Sequence, residues 1–207
     1  MDDNSSTKIR RRIKRAKQGH FFILNDFLDI ADRNLAKVEL NQFVNEGVLK
    51  RSYHGVYQKP KVNKKFNLDV PPTVHEIISQ IARKNNQQVV PAGDTALNFL
   101  GLSTQVPVTY EYLTDGPSRK IKIFETQTVK LKHSGTKTFV KGDIDTAMII
   151  GALNLSPAEE FDEKQFEILA KQLGQKRYQR LSKAAKKSTQ KTRHLVDRIG
   201  DYVIDRS

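Results

Sequence analysis

Between Phe21 and Pro60 the apolar positions change spacing twice. Residues 21–24 form a short aromatic and aliphatic run, the pattern of a buried strand or the lead-in to a helix. Asn25 stands where a helix N-cap belongs, with Phe27, Leu28, Ile30 and Ala31 turned inward. Asp32, Arg33 and Asn34 make a turn. Ala36, Leu40, Phe43 and Val44 then recur at i, i+4, i+7 and i+8, so the spacing predicts a helix over 35–46 ended by Gly47. Residues 48–52 and 56–58 read as two strands, and Tyr53, His54 and Gly55 turn between them. Upstream, Ser6 or Thr7 can cap a helix running through Ala16, with Ile9, Ile13 and Ala16 on one face. The order predicts a winged helix-turn-helix over residues 1–62.

Residues 61–65 are basic and polar, and read as a linker. After Pro71 and Pro72, Thr73 caps a predicted helix carrying Val74, Ile77, Ile78, Ile81 and Ala82 inward; a short strand over 87–91 follows. Asp94 or Thr95 can cap a short helix that stops at Gly101. An anion at the glycine before that helix is a weaker reading, because the spaced glycines and Lys-Ser/Thr of a P-loop are missing. Strands are predicted over 108–113, 119–124 and 127–132. Their alternation puts lysines on one face and aliphatic residues on the other, as in a one-sided antiparallel sheet. Asp143 or Asp145 can cap a helix over 146–153. Ser156, Pro157 and Glu159 mark a further helix start, Asp162 another, and the tail reads as two helices, one very basic. The expected fold is α+β in three parts: a winged helix-turn-helix over 1–62, an α/β domain with a small antiparallel sheet over 68–155, and basic helices over 156–207.

Charge turns this fold into a functional expectation. The chain has 207 residues, with 36 Lys plus Arg against 23 Asp plus Glu, a net charge of +13. A balance this basic points to an anionic partner, nucleic acid first. On the second predicted helix of the turn, Arg33, Asn34, Lys37, Val38, Asn41 and Gln42 face outward. Asn and Gln pair with adenine, and Arg and Lys with guanine or phosphate. Lys50, Arg51 and His54 lie on or beside the ribbon. Arg10, Arg11, Lys14 and Arg15 carry one sign of charge along the first helix, which suits DNA phosphates.

Catalytic and metal chemistry finds little support. There is no cysteine, hence no disulfide, thiolate metal site or Cys nucleophile. The five histidines are scattered and no pair has metal spacing. Glu111, Asp115 and Glu125 are available to a nuclease, but the spacing after Glu125 is wrong for one. No cofactor motif is present and none is expected. No secretory signal or membrane-length apolar run is found, which predicts a soluble, cytoplasmic protein that is not an enzyme.

Several runs together resemble one bacterial family. They are Gly55-Val56-Tyr57, the block from Gly93 to Pro107 (Ala96-Leu97-Asn98, then Leu100-Gly101-Leu102-Ser103-Thr104-Gln105-Val106-Pro107), Tyr112-Leu113-Thr114-Asp115-Gly116 with Ser118-Arg119, and Leu131-Lys132-His133. Over roughly residues 8–200 the chain is similar to the AbiEi-like (abortive infection) antitoxins and transcriptional regulators. The resemblance implies a repressor that binds its own promoter through the winged helix. It also implies an antitoxin role against a nucleotidyltransferase-like toxin encoded beside it, countered directly or indirectly. By position it places Arg33, Asn34, Lys37 and Asn41 on the recognition surface and Lys50, Arg51 and His54 on the wing. It carries no catalytic residue onto the second domain. The alternatives are an enzyme acting on nucleic acid and a protein-binding adaptor with no DNA role.

Overall fold

A computed structural model of the chain describes residues 4–124, 126–135, 139, 144–158 and 161–204. The protein is α+β and divides into two compact units, residues 1–87 and 88–207.

In the first unit, α1 (Ser5–Arg15) leads into β1 (Phe21–Ile23), a one-turn 3-10 helix (Leu24–Phe27) and α2 (Arg33–Asn45). A hairpin follows, β2 (Lys50–Tyr53) and β3 (Val56–Gln58). β3 pairs antiparallel with both β1 and β2, giving the sheet order β1-β3-β2. The apolar spacing explains the core: Ile9, Ile13, Phe22, Phe27, Leu40 and Phe43 are sealed from solvent. Between Phe22 and α2 the chain makes one 3-10 turn instead of the helix expected from Asn25. Phe27 is buried there, while Leu28 is 41% exposed and does not turn inward.

The expected linker at 61–65 is instead half of a small hairpin, β4 (Val62–Asn63) and β5 (Leu68–Asp69). α3 (Val74–Lys84) starts on a capping box between Thr73 and Glu76 and packs beside β1 and β3. The first unit therefore extends to residue 87 rather than ending at 62. Pro71 and Pro72 break the helix pattern but not the packing.

Half-burial on α3 holds the His75 imidazole below its ordinary pKa, with Glu76 opposing the shift in part. The unfolded chain binds a proton near pH 6.5 that the folded chain refuses, so stability is full above that pH and declines as pH falls through it. Denaturant midpoints should drop between about pH 7.5 and 5.5, and His75→Gln should flatten that drop. An unchanged slope in the variant would remove His75 as the cause.

The second unit carries β6 (Val89–Pro91), α4 (Gly93–Phe99), β7 (Thr109–Thr114), β8 (Arg119–Ile123), β9 (Gln127–His133), α5 (Ile144–Leu155), α6 (Glu163–Ala185) and α7 (Gln190–Ile204). The sheet order is β6-β7-β9-β8. The outer pairings are antiparallel, but β7 and β9 run parallel, so the sheet is mixed and not the antiparallel one expected. Alternation does hold: Ile121, Ile123, Val129 and Leu131 are buried, while Lys120, Lys122 and Lys132 are exposed. α4 starts at Ala92 with no side-chain cap; Thr95 Oγ1 instead accepts from the Glu111 N–H at 2.8 Å.

The helices α4 to α7 share one core, which includes Leu97, Leu153, Phe166, Leu169 and Ile199. Residues 156–207 are therefore part of this unit and not a separate tail. The expected start at Ser156-Pro157 is replaced by the cap at Asp162, which accepts from the Gln165 N–H at 2.9 Å; Glu159 lies outside the described residues, as does Asp143. Inside α6, Gly174 adopts φ 58° and ψ 175°, a region open essentially to glycine alone, and the helix kinks there. Gly200 of α7 lies so close to Tyr178 of α6 that a Cβ would overlap the phenol. No helix among the described residues is long and apolar enough to cross a membrane.

Candidate nucleic-acid interface

The N-terminal unit presents α2 as a helix with one buried and one open side. Its N-cap is Asp32, whose carboxylate accepts from the N–H groups of Asn34 (2.8 Å) and Leu35 (2.9 Å). Ala36, Glu39, Leu40 and Phe43 face the core. Arg33, Asn34, Lys37, Val38 and Gln42 are exposed and Asn41 is half-exposed, so the predicted outward set does share one side. Val38 is 60% exposed among polar neighbours, a methyl-bearing contact of the kind that meets thymine. Gln42 Nε2 donates to Glu46 Oε1 at 2.9 Å.

The hairpin lies against this helix through a specific contact. Arg51 Nη2 donates to Asn41 Oδ1 at 2.6 Å, and the guanidinium sits 5.6 Å from the centre of the Tyr57 ring. Tyr57 itself is buried, so it packs the core and is not a stacking platform. The turn at His54-Gly55 is fastened from α3: Lys84 Nζ donates to the His54 carbonyl at 2.8 Å. Gly55 has φ +70°, and a Cβ there would stand 3.1 Å from that ammonium, so a larger residue is strained twice. The His54 side chain is exposed. Lys50 pairs with Asp69, which ties β2 to β5; Lys64, Lys65 and Phe66, in the turn between β4 and β5, are exposed.

The basic residues of α1 divide by their partners. Arg10 is drawn onto α2, 3.7 Å from Glu39 and 3.4 Å from Glu46, with its guanidinium over the Phe43 ring. Glu39, 5% exposed, accepts from Ser6 as well. Arg12 grips Asp29 with two bonds of 2.8 and 2.7 Å and donates to the Asp26 carbonyl. That guanidinium holds the Asp29 carboxyl below its usual range, and the carboxylate holds Arg12 above its own. Arg11, Lys14 and Arg15 are exposed, and among the described residues Lys14 and Arg15 form no ion pair. Lys8, Arg11 and Arg15 also line a groove of about 800 Å³ beside His20 and Asp26. The structure thus groups Arg33, Asn34, Lys37, Val38, Asn41, Gln42 and Arg51 on one surface, leaves Arg11, Lys14 and Arg15 exposed on α1, and turns Arg10 onto α2.

Sequence reading missed the fasteners of this unit. Arg83 of α3 binds Asp26, one contact measuring 3.0 Å, while Asp26 also accepts from the Ile23 N–H at 2.9 Å. Lys59 Nζ caps α1, donating to the carbonyls of Ile13 (3.3 Å), Lys14 (2.8 Å) and Ala16 (2.8 Å). No local pattern signals either contact, because the partners lie more than forty residues apart.

In the C-terminal unit the basic face of the sheet is partly compensated. Glu111 lies opposite Lys130 in the β7–β9 register and pairs with Lys130 (3.8 Å) and Lys132 (3.1 Å), neutralising part of the basic sheet face. Its carboxylate would stand 3.2 Å from a Cβ at Gly93, so the start of α4 is already faced by an anion and is a poor place for another. Among the described residues no three His, Asp or Glu side chains are grouped to hold a metal ion.

Fold and surface together define a basic, two-unit α+β protein with an open helix beside a β-ribbon. Residues 8–181 match a family of unknown function, DUF6088, and the chain belongs to that family. Comparison with curated proteins gave no match.

Proposed function

We propose that this chain is a DNA-binding transcriptional regulator that represses its own promoter. The observation that carries the reading is the outward side of α2, with Arg33, Asn34, Lys37, Val38 and Asn41, joined to the β-ribbon through the Asn41–Arg51 hydrogen bond. The order of elements supports it: α1, β1, a short helix, α2 and a two-stranded ribbon, with β1 closing on the ribbon, is compatible with a winged helix-turn-helix. A helix about 10 Å across fits the major groove, and its side chains are of types that pair with base edges. Arg11, Lys14 and Arg15 of α1, with Lys50 and His54 of the ribbon, supply phosphate contacts. The antitoxin role, against a nucleotidyltransferase-like toxin, rests on the AbiEi resemblance alone.

The reading is tested with the full chain and a labelled duplex carrying its own upstream region, titrated at several salt concentrations. Five phosphate contacts would weaken binding by about 500-fold between 50 and 200 mM salt. Absence of binding, or binding indifferent to salt, would reject the reading. Capture of the neighbouring gene product without any DNA shift would favour the adaptor.

A further inference from the structure

The longest one-sign segment of the chain lies in the C-terminal unit. Between residues 168 and 196 there are nine Lys or Arg and no Asp or Glu. Arg177 is drawn into the fold by Asp145 of α5, and Lys191 Nζ by the carbonyls of Asn154 (3.1 Å) and Ser156 (2.8 Å). Beyond the kink at Gly174, four of the others form a row. Lys176, Arg180 and Lys183 are exposed on α6, and Lys187, just past its end, is exposed as well. At the helical rotation the three on α6 fall within an arc of about 60°, on the side opposite Tyr178. Tyr178 faces α7, where Asp197 and Asp201 raise its pKa after burial, so those carboxylates lie across the helix from the row. The row spans about 16 Å at 1.5 Å per residue, the axial length of about five phosphates on one strand of a duplex.

We propose that this row is a second phosphate-contact surface, by which the C-terminal unit grips double-stranded nucleic acid without reading sequence. Lys176 and Lys183 on one face of α6, with Lys187 just past its end, repel one another, and a polyanion relieves that repulsion. The chemistry favours a nucleic acid over a lipid surface. A helix lying on a membrane needs an apolar face to bury, whereas the residues flanking this row are Gln175, Gln179 and Ser182, with Leu181 and Ala185 buried in the core. Amide and hydroxyl groups beside lysines suit phosphate and sugar oxygens.

The proposal rests on the DNA-binding reading, and one experiment separates the two. The full chain, the variant K176Q/R180Q/K183Q/K187Q and a control K164Q/K171Q are titrated with the promoter duplex and with a random-sequence duplex at several salt concentrations. Gln keeps helix propensity, and circular dichroism checks the fold of each variant. The row variant should bind both duplexes more weakly by a similar factor. Its salt slope should be shallower by about 3 to 4, near 0.9 per lost contact, while the promoter-over-random ratio is kept. The control should leave the slope nearly unchanged. If the row variant keeps the full slope while the wild type still prefers its promoter, the row is overturned and the α2 reading stands. If the wild type shows no preference but the row variant loses binding, the row stands and the α2 reading falls. No binding by the wild type overturns both, and loss of binding only to phosphatidylserine vesicles transfers the row to a membrane.

Discussion

Phe27→Ala is expected to cost the N-terminal unit about 3–5 kcal/mol, against the 5–15 kcal/mol that typically holds a whole domain folded. The ring is fully buried on the 3-10 turn, 5.5 Å from the Phe22 ring at 32°, among Ile9, Ile13, Leu40 and Phe43. Truncation removes its transfer free energy and leaves a void that a single 3-10 turn closes poorly. The chain there is pinned at both ends, by Asp26 to Arg83 and Ile23, and by Asp29 to Arg12. Arg12 loses a second support, since its guanidinium lies 5.8 Å over that same ring. Hydrogen exchange resolved by peptide is the measurement. Amides of 21–45 should exchange faster while those of α6 and α7 stay protected. Unchanged protection over 21–45 would show that the turn collapses onto the void, and that Phe27 is not central to this core.

What the sequence showed and what it hid divide along a physical line. Periodicity reports which face of an element is buried, and it did so on α2 and on β8 and β9, where Ile121, Ile123, Val129 and Leu131 are inside. It does not report neighbours. β9 inserts between β7 and β8, parallel to the first and antiparallel to the second, yet its alternation would look the same beside either strand. The basic run at 61–65 looked like a linker because it is polar and lacks periodicity, but it enters a small hairpin, and α3 beyond it packs back onto β1 and β3. The outward set on α2 was legible because helical geometry alone fixes it. The fate of Arg10 was not: its partners Glu39 and Glu46 lie 29 and 36 residues downstream. Lys14 and Arg15, of the same type and on the same helix, meet no such carboxylates among the described residues, and only the folded chain separates the two cases.

Lys37→Ala combined with Asn41→Ala should relax the preference for the promoter over a scrambled duplex, because each good base contact discriminates by about 1–3 kcal/mol, or roughly 5- to 150-fold. Affinity for the scrambled duplex should fall far less, through the charge of Lys37 only. Asn41 brings a complication that serves as a check. Its Oδ1 accepts from Arg51 in the free protein, so Asn41→Ala both removes a base-pairing amide and releases a guanidinium next to it. Asn41→Ala and Arg51→Ala should therefore be non-additive, with the double variant losing less than the sum of the singles. Strict additivity would mean that the two side chains meet DNA independently. An unchanged promoter preference in Lys37→Ala/Asn41→Ala would remove this side of α2 from base readout altogether, leaving salt-dependent phosphate contact as the chain's hold on DNA.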